Sequence, residues 1–571
     1  MSTSSSYHGD YVDEYFFNST DLNLDLSPTD LCPETNPMKR FYVWEDDIRT
    51  DFRVYWYGEC EMWIDRVRVE NLPSKLLFDR NQTLLEQIAA EVNLAAGNYD
   101  PQYPIPNNFY TEEFEFNMTP CNQEFSKLID SISFARLTLM VNINMDMYNV
   151  HIPNYETIFE PEDFKKYLLD SSKIKIILPN PYYLEGWEDT SSIGLPSKNP
   201  NTLPVYSHWP GIGYDQSKGL LTYPSSPSDY DYWLQNQLDD QPSYYNFKTV
   251  MKKYDEISKL SGVDIIDLHQ SHMWWQSNHK LKEPTNEELE LTANLAITYG
   301  SRGFMYFAYN GVCAGNGFQT DYTPTGGQTP MFSAGFVDKN KNVRDTNAYG
   351  QNKWNFYKRY NRLLETWEPY IMNFDNMNRK SYIYRIADER NEMSANTFIS
   401  KLKAYRSTDI TPDSIPNLSG MTAETNTDAY LQAAFFQKIN ETGHSKYFMI
   451  VNRRCSPFIN YSNTDNIGGR RFITMKIDSA DLSGFNNWKI VDLQSNNSIA
   501  TINKNDTNYI YLGNYMPGEG RLYKLAPVMQ EGGVLVADED CGGFEFECRG
   551  EVNNNGHDVT IKPQTTILFA N

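Results

Sequence analysis

One stretch limits the available folds more than any other: EPTNEELELTANLAITYGSRGFMYFAYN, residues 283–310. Thr285 precedes a helical run and Glu288 follows three residues on. That is the spacing of a capping box, in which each side chain meets the other residue's backbone N–H. Leu289, Ala293 and Ala296 share one helical face, with Leu291 and Leu295 beside it. Gly300 suits the left-handed residue that closes a helix. The run from Phe304 to Tyr309 is too apolar to face water on either side. A helix feeding a doubly buried strand is a half-turn of an α/β barrel or of a doubly wound sheet.

The same alternation extends to both sides. LLEQIAAEVNLAA (84–96), NQEFSKLIDSI (122–132), PEDFKKYLLDSS (161–172), YNFKTVMKKYDEISKLSG (245–262) and NKWNFYKRYNRLLETWEPYI (352–371) carry helical periodicity. NNFYTEEFEF (107–116), ARLTLMVNINMDM (135–147), KIKIILPNPYYL (173–184) and VDIIDLHQSHMWW (263–275) read as strands. Residues 73–375 thus hold about five β/α units, where a closed barrel needs eight. Within them, 185–243 is a Pro/Ser/Tyr/Asp-rich insertion too long for a plain connection and a candidate lid over a site.

The flanks are different. Residues 1–39 are polar and aperiodic, and from Arg40 to about residue 72 short aromatic and β-branched runs end in MWIDRVRVEN, where Val67 and Val69 alternate with Arg66 and Arg68. After Asn373, SYIYRIADE, KYFMIVNRR, RFITMKI, WKIVDLQ, YIYLGNYMPGEGRLYKLAPV and TTILF succeed one another between turns, the pattern of a β-sandwich over 376–571.

These runs also resemble known families. The 283–310 stretch is similar to a late β/α unit of glycoside-hydrolase TIM barrels of the β-galactosidase-like kind. MWIDRVRVEN resembles the closing strand of a carbohydrate-binding jelly roll, and MPGEGRLYKLAPV the C-terminal sandwich of many glycosidases. The final residues, GEVNNNGHDVTIKPQTTILFAN, resemble the opening rung of a parallel β-helix, with a last sandwich strand as the open alternative. The resemblance implies a TIM-like barrel, incomplete or degenerate, between a jelly-roll remnant and a β-sandwich. It implies a secreted glycoside hydrolase acting on polysaccharide. The alternative is a non-catalytic glycan-binding or structural, filament-type protein on the same scaffold.

Composition narrows the partners. A net charge of −24 and the lack of a basic patch exclude a nucleic-acid partner. The 40 tyrosines and 11 tryptophans, beside many Asn and Asp, suit sugar recognition, in which ring faces stack and polar edges hydrogen-bond; they equally suit sandwich strands. Seven cysteines show no metal-ligand spacing, and Cys541 and Cys548 could close a hairpin disulfide. Asn-X-Ser/Thr sequons, including those at Asn81, Asn496 and Asn505, point weakly to an extracellular or cell-surface setting. No run is long enough for a membrane span, and no cofactor is expected. A homo-oligomer or larger extracellular assembly remains open.

Glycoside hydrolysis needs two carboxylates, which in a barrel stand at the C-terminal strand ends. Glu112 and Glu113 are the first candidates, with Glu113 favoured as the acid; Asp146 or Asp267 is the partner. Where relatives carry an acid, this chain has Asn180, which can bind a sugar hydroxyl but cannot be a base. His269, Gln270, Asn180, Tyr182, Trp274, Trp275 and Tyr309 are candidate substrate contacts. A metal at His269, His272 and His279 is disfavoured, because successive strand positions face opposite ways. Structural histidines and packed aromatics are the plainer readings.

Overall fold

The computed structural model describes residues 81–97, 108–111, 138–143, 161–170, 172–179, 213–215, 220–222, parts of 231–239, 247–271, 273–276, 279–281, 284–307, 332–334, 351–406, 421–439, 445–456, 468–478, 486–503, 508–528, four short strands beyond, and isolated positions between them. The chain divides into two compact units, residues 1–75 and 76–571. The jelly-roll expectation falls in the first and lies outside the described residues.

Helix α1 (Gln82–Gly97) opens the second unit. Strands β1 (Asn108–Thr111), β2 (Thr138–Ile143) and β3 (Ile176–Pro179) follow, and a small hairpin of β4 (Gly213–Asp215) and β5 (Leu220–Thr222) lies within the insertion. Between β2 and β3 a short helix α2 (Pro161–Phe164) runs on as a π-helical turn over Lys165–Leu169. Next come α3 (Phe247–Ser261), β6 (Asp264–Gln270), β7 (Met273–Gln276), β8 (His279–Leu281), α4 (Asn286–Thr298) and β9 (Ser301–Phe307). The five strands expected from the sequence form one sheet in the order β1-β2-β3-β6-β9, every pair parallel. Their order follows the chain without reversal, so the described sheet is singly wound; a doubly wound sheet would switch direction.

One expected strand is corrected. VDIIDLHQSHMWW is not continuous: β6 ends at Gln270, and β7 leaves the parallel sheet to pair antiparallel with β8 and with β10 (Phe332–Ala334). The alternation of β6 explains the sheet's two faces. Ile177 and Ile265 enter a core with Met251 and Tyr254 of α3 and Leu291 and Leu295 of α4. Leu178 and Leu268 lie on the opposite face with Ile176, Ile266 and Met305, all apolar, and both are fully buried. Burial on both faces is the rule for parallel sheets.

Helix α4 begins as its sequence requires. Thr285 Oγ1 accepts from Glu288 N at 3.2 Å, and Glu288 Oε2 accepts from Thr285 N at 2.8 Å. Gly300 ends it at φ +91°. Helix α5 (Lys353–Ile371) starts at the N-cap Asn352.

The C-terminal part holds two antiparallel sheets. The larger joins β11 (Lys380–Ile383), β13 (Leu431–Phe436), β14 (Lys446–Asn452), β19 (Gly520–Val528), β16 (Asn487–Asp492) and β17 (Asn497–Asn503) in that order. The smaller joins β12 (Ile399–Tyr405), β15 (Arg471–Ile477) and β18 (Ile510–Tyr515). SYIYRIADE is a strand only to Ile383; its acidic end starts helix α6 (Ala387–Asn396), where Asp388 and Glu389 suit a helix N-terminus. Phe448, Ile450, Trp488 and Leu525 face Leu402, Ile473, Met475 and Leu512 across the sandwich. The alternate residues Tyr447, Met449 and Val451 face the other way, into the core of the helices. The larger sheet is therefore covered on both faces, and the α/β part and the sandwich share one interior.

Beyond the sandwich, β20 (Glu539–Asp540) pairs parallel with β22 (Val559–Thr560), and β21 (Phe546–Arg549) with β23 (Ile567–Ala570). The partners stand 20 and 21 residues apart in sequence, and β23 joins neither sandwich sheet.

Candidate functional site

A parallel sheet brings the C-terminal ends of its strands to one edge, where β/α proteins place their chemistry. Glu112 and Glu113 directly follow the last residue of β1, Asp146 stands three residues after β2, and Asn180 directly follows β3. Gln270 is the last residue of β6, and Tyr309 stands two residues after β9. Of these, only Gln270 is among the described residues. Tyr182 lies outside them too. For Trp274 and Trp275 the backbone places both in β7, opposite Ser333 and Phe332 of β10 and away from the parallel sheet.

Asp267 and His269 correct the expectation. Two residues apart on β6, they share a face, and it is the face of Ile265, toward the helices. Asp267 Oδ2 lies 3.0 Å from His269 Nδ1, and both residues are buried to within 1%. The imidazole meets Phe304, Tyr306 and Tyr357 edge to face at centroid separations of 5.7, 6.0 and 6.5 Å. Tyr357 belongs to α5, so the pair sits beneath a helix. Asp267 and His269 thus lie beneath α5, on the side of the sheet opposite Leu268. Burial raises the Asp267 carboxyl above its ordinary range, opposed by the weaker effect of its His269 partner. Asp267 Oδ1 and His269 Nε2 have no hydrogen-bond partner among the described residues.

Gln270 alternates away from this pair and is itself buried. The chain beside it is fixed by Lys353, whose Nζ donates to the Ser271 carbonyl at 2.8 Å from a buried position in the first turn of α5. The sequence reading missed Lys353, although a signal was available. A lysine in a first helical turn opposes the helix dipole, so another interaction must hold it there. Here that interaction is the carbonyl just past the end of β6.

The described residues contain no group of three His, Cys, Asp or Glu able to hold a metal, and no helix among them is long and apolar enough to cross a membrane.

No family model matches the chain, and no curated protein matches it. Among solved structures it is similar to a GH27 β-L-arabinopyranosidase from Geobacillus stearothermophilus, with TM-score 0.30, 10% identity, and 80% of this chain and 64% of that one covered. It is also similar to an α-amylase from Geobacillus thermoleovorans complexed with acarbose, with TM-score 0.30, 11% identity, and 78% and 65% covered. The chain thus spans less than two thirds of the length of either enzyme. At such TM-scores the likeness extends to neither the domain arrangement nor any site residue.

Proposed function

We propose that this chain is a glycoside-hydrolase-like protein that binds a polysaccharide at the C-terminal edge of its parallel sheet and hydrolyses it there, in an extracellular setting. The single-wound sheet is then the described part of a TIM-like barrel, and the sandwich supports it. One observation carries this reading: four strands of one parallel sheet end at, or within three residues of, Glu112–Glu113, Asp146, Asn180 and Gln270. That strand order supports a shared edge for acids and amides from different strands, which hydrolysis of a neutral polyhydroxy substrate requires.

With Asp267 turned to the helices, the acid pair is drawn from Glu113, Glu112 and Asp146. Strands β1 and β2 are hydrogen-bonded neighbours, about 4.8 Å apart, and acids that follow them start within the separation a glycosidase pair needs, about 5–10 Å. Asn180 and Gln270 can hydrogen-bond hydroxyls without taking part in proton transfer.

The test pairs reducing-sugar release over a panel of polysaccharides with glycan-array binding, for the native chain and for Glu113→Gln, Glu112→Gln and Asp146→Asn. One Glu variant and the Asp variant should lose release by about 100-fold or more while binding persists. Release unchanged in all three variants would overturn the assignment. Binding without release by the native chain would identify a glycan-binding protein on this scaffold.

A further inference from the structure

The two sheets of the sandwich have unequal edges. A sheet edge presents unpaired backbone groups, which native proteins guard with charge, proline or a covering element. In the larger sheet, β11 opens on the exposed Lys380 and packs against α6. In the smaller sheet, β12 carries Lys401 and Lys403. The other two edges hold neither charge nor proline: β17 reads NSIATIN and β18 reads IYLGNY. Among the described residues each is hydrogen-bonded to one strand, β17 to β16 and β18 to β15. The two lie beside each other, so one side of the sandwich has no charged or proline guard on its strands.

Sequons bracket that side. Asn496-Asn497-Ser498 stands where the β16–β17 hairpin enters β17, and Asn505-Asp506-Thr507 lies in the connection from β17 to β18. Asn496, Asn497, Ser498 and Asn505 are all exposed. The left-handed φ of +56° by itself accounts for an asparagine at 496. It does not account for a second exposed sequon at the far end of the same strand. Asn81, by contrast, is partly buried, and its Oδ1 accepts from Leu84 N at 3.1 Å to cap α1. The sequons at Asn18, Asn117, Asn417, Asn440 and Asn460 lie outside the described residues.

We propose that Asn496 and Asn505 carry N-linked oligosaccharides, which shield the β17–β18 side of the sandwich from pairing with a second copy of the chain. This rests on the extracellular setting proposed above, because the transferase and its polyprenyl-diphosphate-linked sugar donor belong to the secretory route. The asparagine Nδ2 bonds to the anomeric carbon of the donated sugar. The bond from that carbon to the diphosphate oxygen breaks, the amide gives up one proton, and the lipid diphosphate leaves. The Ser498 and Thr507 hydroxyls complete the two recognised triplets. A bulky, hydrated group at each end of β17 keeps an incoming strand from lying along it.

The test uses the full chain, isolated separately from the cells that make it and from their medium. Digestion with an N-glycosidase in heavy-oxygen water converts each glycosylated asparagine into a labelled aspartate. Mass spectrometry should find the label at Asn496 and Asn505 in most copies. Ser498→Ala combined with Thr507→Ala removes both sequons and keeps the asparagines. In sedimentation velocity this variant should self-associate about 10-fold more tightly than the native chain, the scale of a few cross-strand pairs. Trimming the folded native chain to one sugar per site with an endoglycosidase should produce the same rise, and it decides the matter if the variant does not fold. A secreted chain unlabelled at either asparagine would overturn the assignment and leave the extracellular setting standing. A chain found only inside the cells and unlabelled at every sequon refutes that setting as well. Labelled sites whose removal or trimming leaves association unchanged would overturn the shield.

Discussion

Replacing Gly300 by alanine should be among the most damaging single changes outside the candidate site. Gly300 follows α4 at φ +91°. A Cβ there would lie 1.9 Å from both Cζ and Nη1 of Arg379 and 2.3 Å from its Nη2. Arg379 cannot simply swing aside. It is buried, its Nε donates to Asp255 Oδ1 at 3.0 Å, its Nη2 makes a second contact with the same oxygen, and Asn376 holds Nη1. The backbone conformation alone costs an alanine about 1–2 kcal/mol. Breaking a buried ion pair costs about 3–5 kcal/mol, and the lower end applies because Lys259 still reaches Asp255 at 2.7 Å. A total of about 4–6 kcal/mol compares with a net stability of about 5–15 kcal/mol for a typical domain. Urea unfolding followed by tryptophan fluorescence measures it, in the native background and in Arg379→Ala. If the collision is the cause, Gly300→Ala on top of Arg379→Ala costs only the backbone term, leaving a coupling of about 3–4 kcal/mol. An equal cost in both backgrounds would refute this reasoning.

Two further substitutions probe the helix at the centre of the fold. Burial raises the Glu290 carboxyl to about 7 against the pull of Arg359, so the folded chain binds this proton more tightly than the unfolded one. The resulting stability is complete below the ordinary carboxylate range and is lost as pH rises through about 7; Glu290→Gln should flatten that decline in pH-dependent unfolding midpoints. Gly518→Ala places a Cβ 2.2 Å from the Glu287 carbonyl at φ +75° and should cost about 2–5 kcal/mol, the sum of backbone strain and overpacking. Gly262→Ala is its control in the same unfolding assay: φ is +74° but nothing lies within 4 Å, so about 1–2 kcal/mol is expected.

Periodicity identified the elements wherever one face of an element met one neighbour. Four of the five parallel strands lie inside the runs that their apolar residues marked, β9 starts three residues before Phe304, and α3, α4 and α5 start within two residues of their expected positions. Capping chemistry was legible at Thr285 and Gly300 because a cap depends on residues adjacent in sequence. The break at Ser271 was not legible: both halves of VDIIDLHQSHMWW are apolar and aromatic, and only the pairing of β7 with β8 and β10 separates them. The strands LQAAFF and ISKLKAY were missed because alanine and lysine mute the strand signal, while their burial comes from partners distant in sequence. Asp267 shows the same limit at the site. A strand sequence says that positions 267 and 269 share a face but not which layer covers it, and only α5 answers that.

The PGEGRL turn shows how much of this chain's pattern is packing rather than chemistry. Its two glycines let the β18–β19 connection approach α4 closely: a Cβ at Gly518 would meet the Glu287 carbonyl, and one at Gly520 would stand 2.7 Å from Asn294 Cγ. Asn294 occupies the junction, donating to the Gly518 carbonyl at 2.9 Å and accepting from Tyr360 of α5 at 2.9 Å. Thr298, one turn on, accepts from Gln432 of β13 at 2.7 Å. A helix buried on every side cannot choose its neighbours by hydrophobicity, since all its faces are equally dry. The polar residues at 294 and 298 supply that choice, because each would be unsatisfied against any other surface. The parallel strands β6 and β9 pack on α4, and α4 is positioned by the sandwich. The PGEGRL turn of the C-terminal part thus acts on the parallel sheet through one helix.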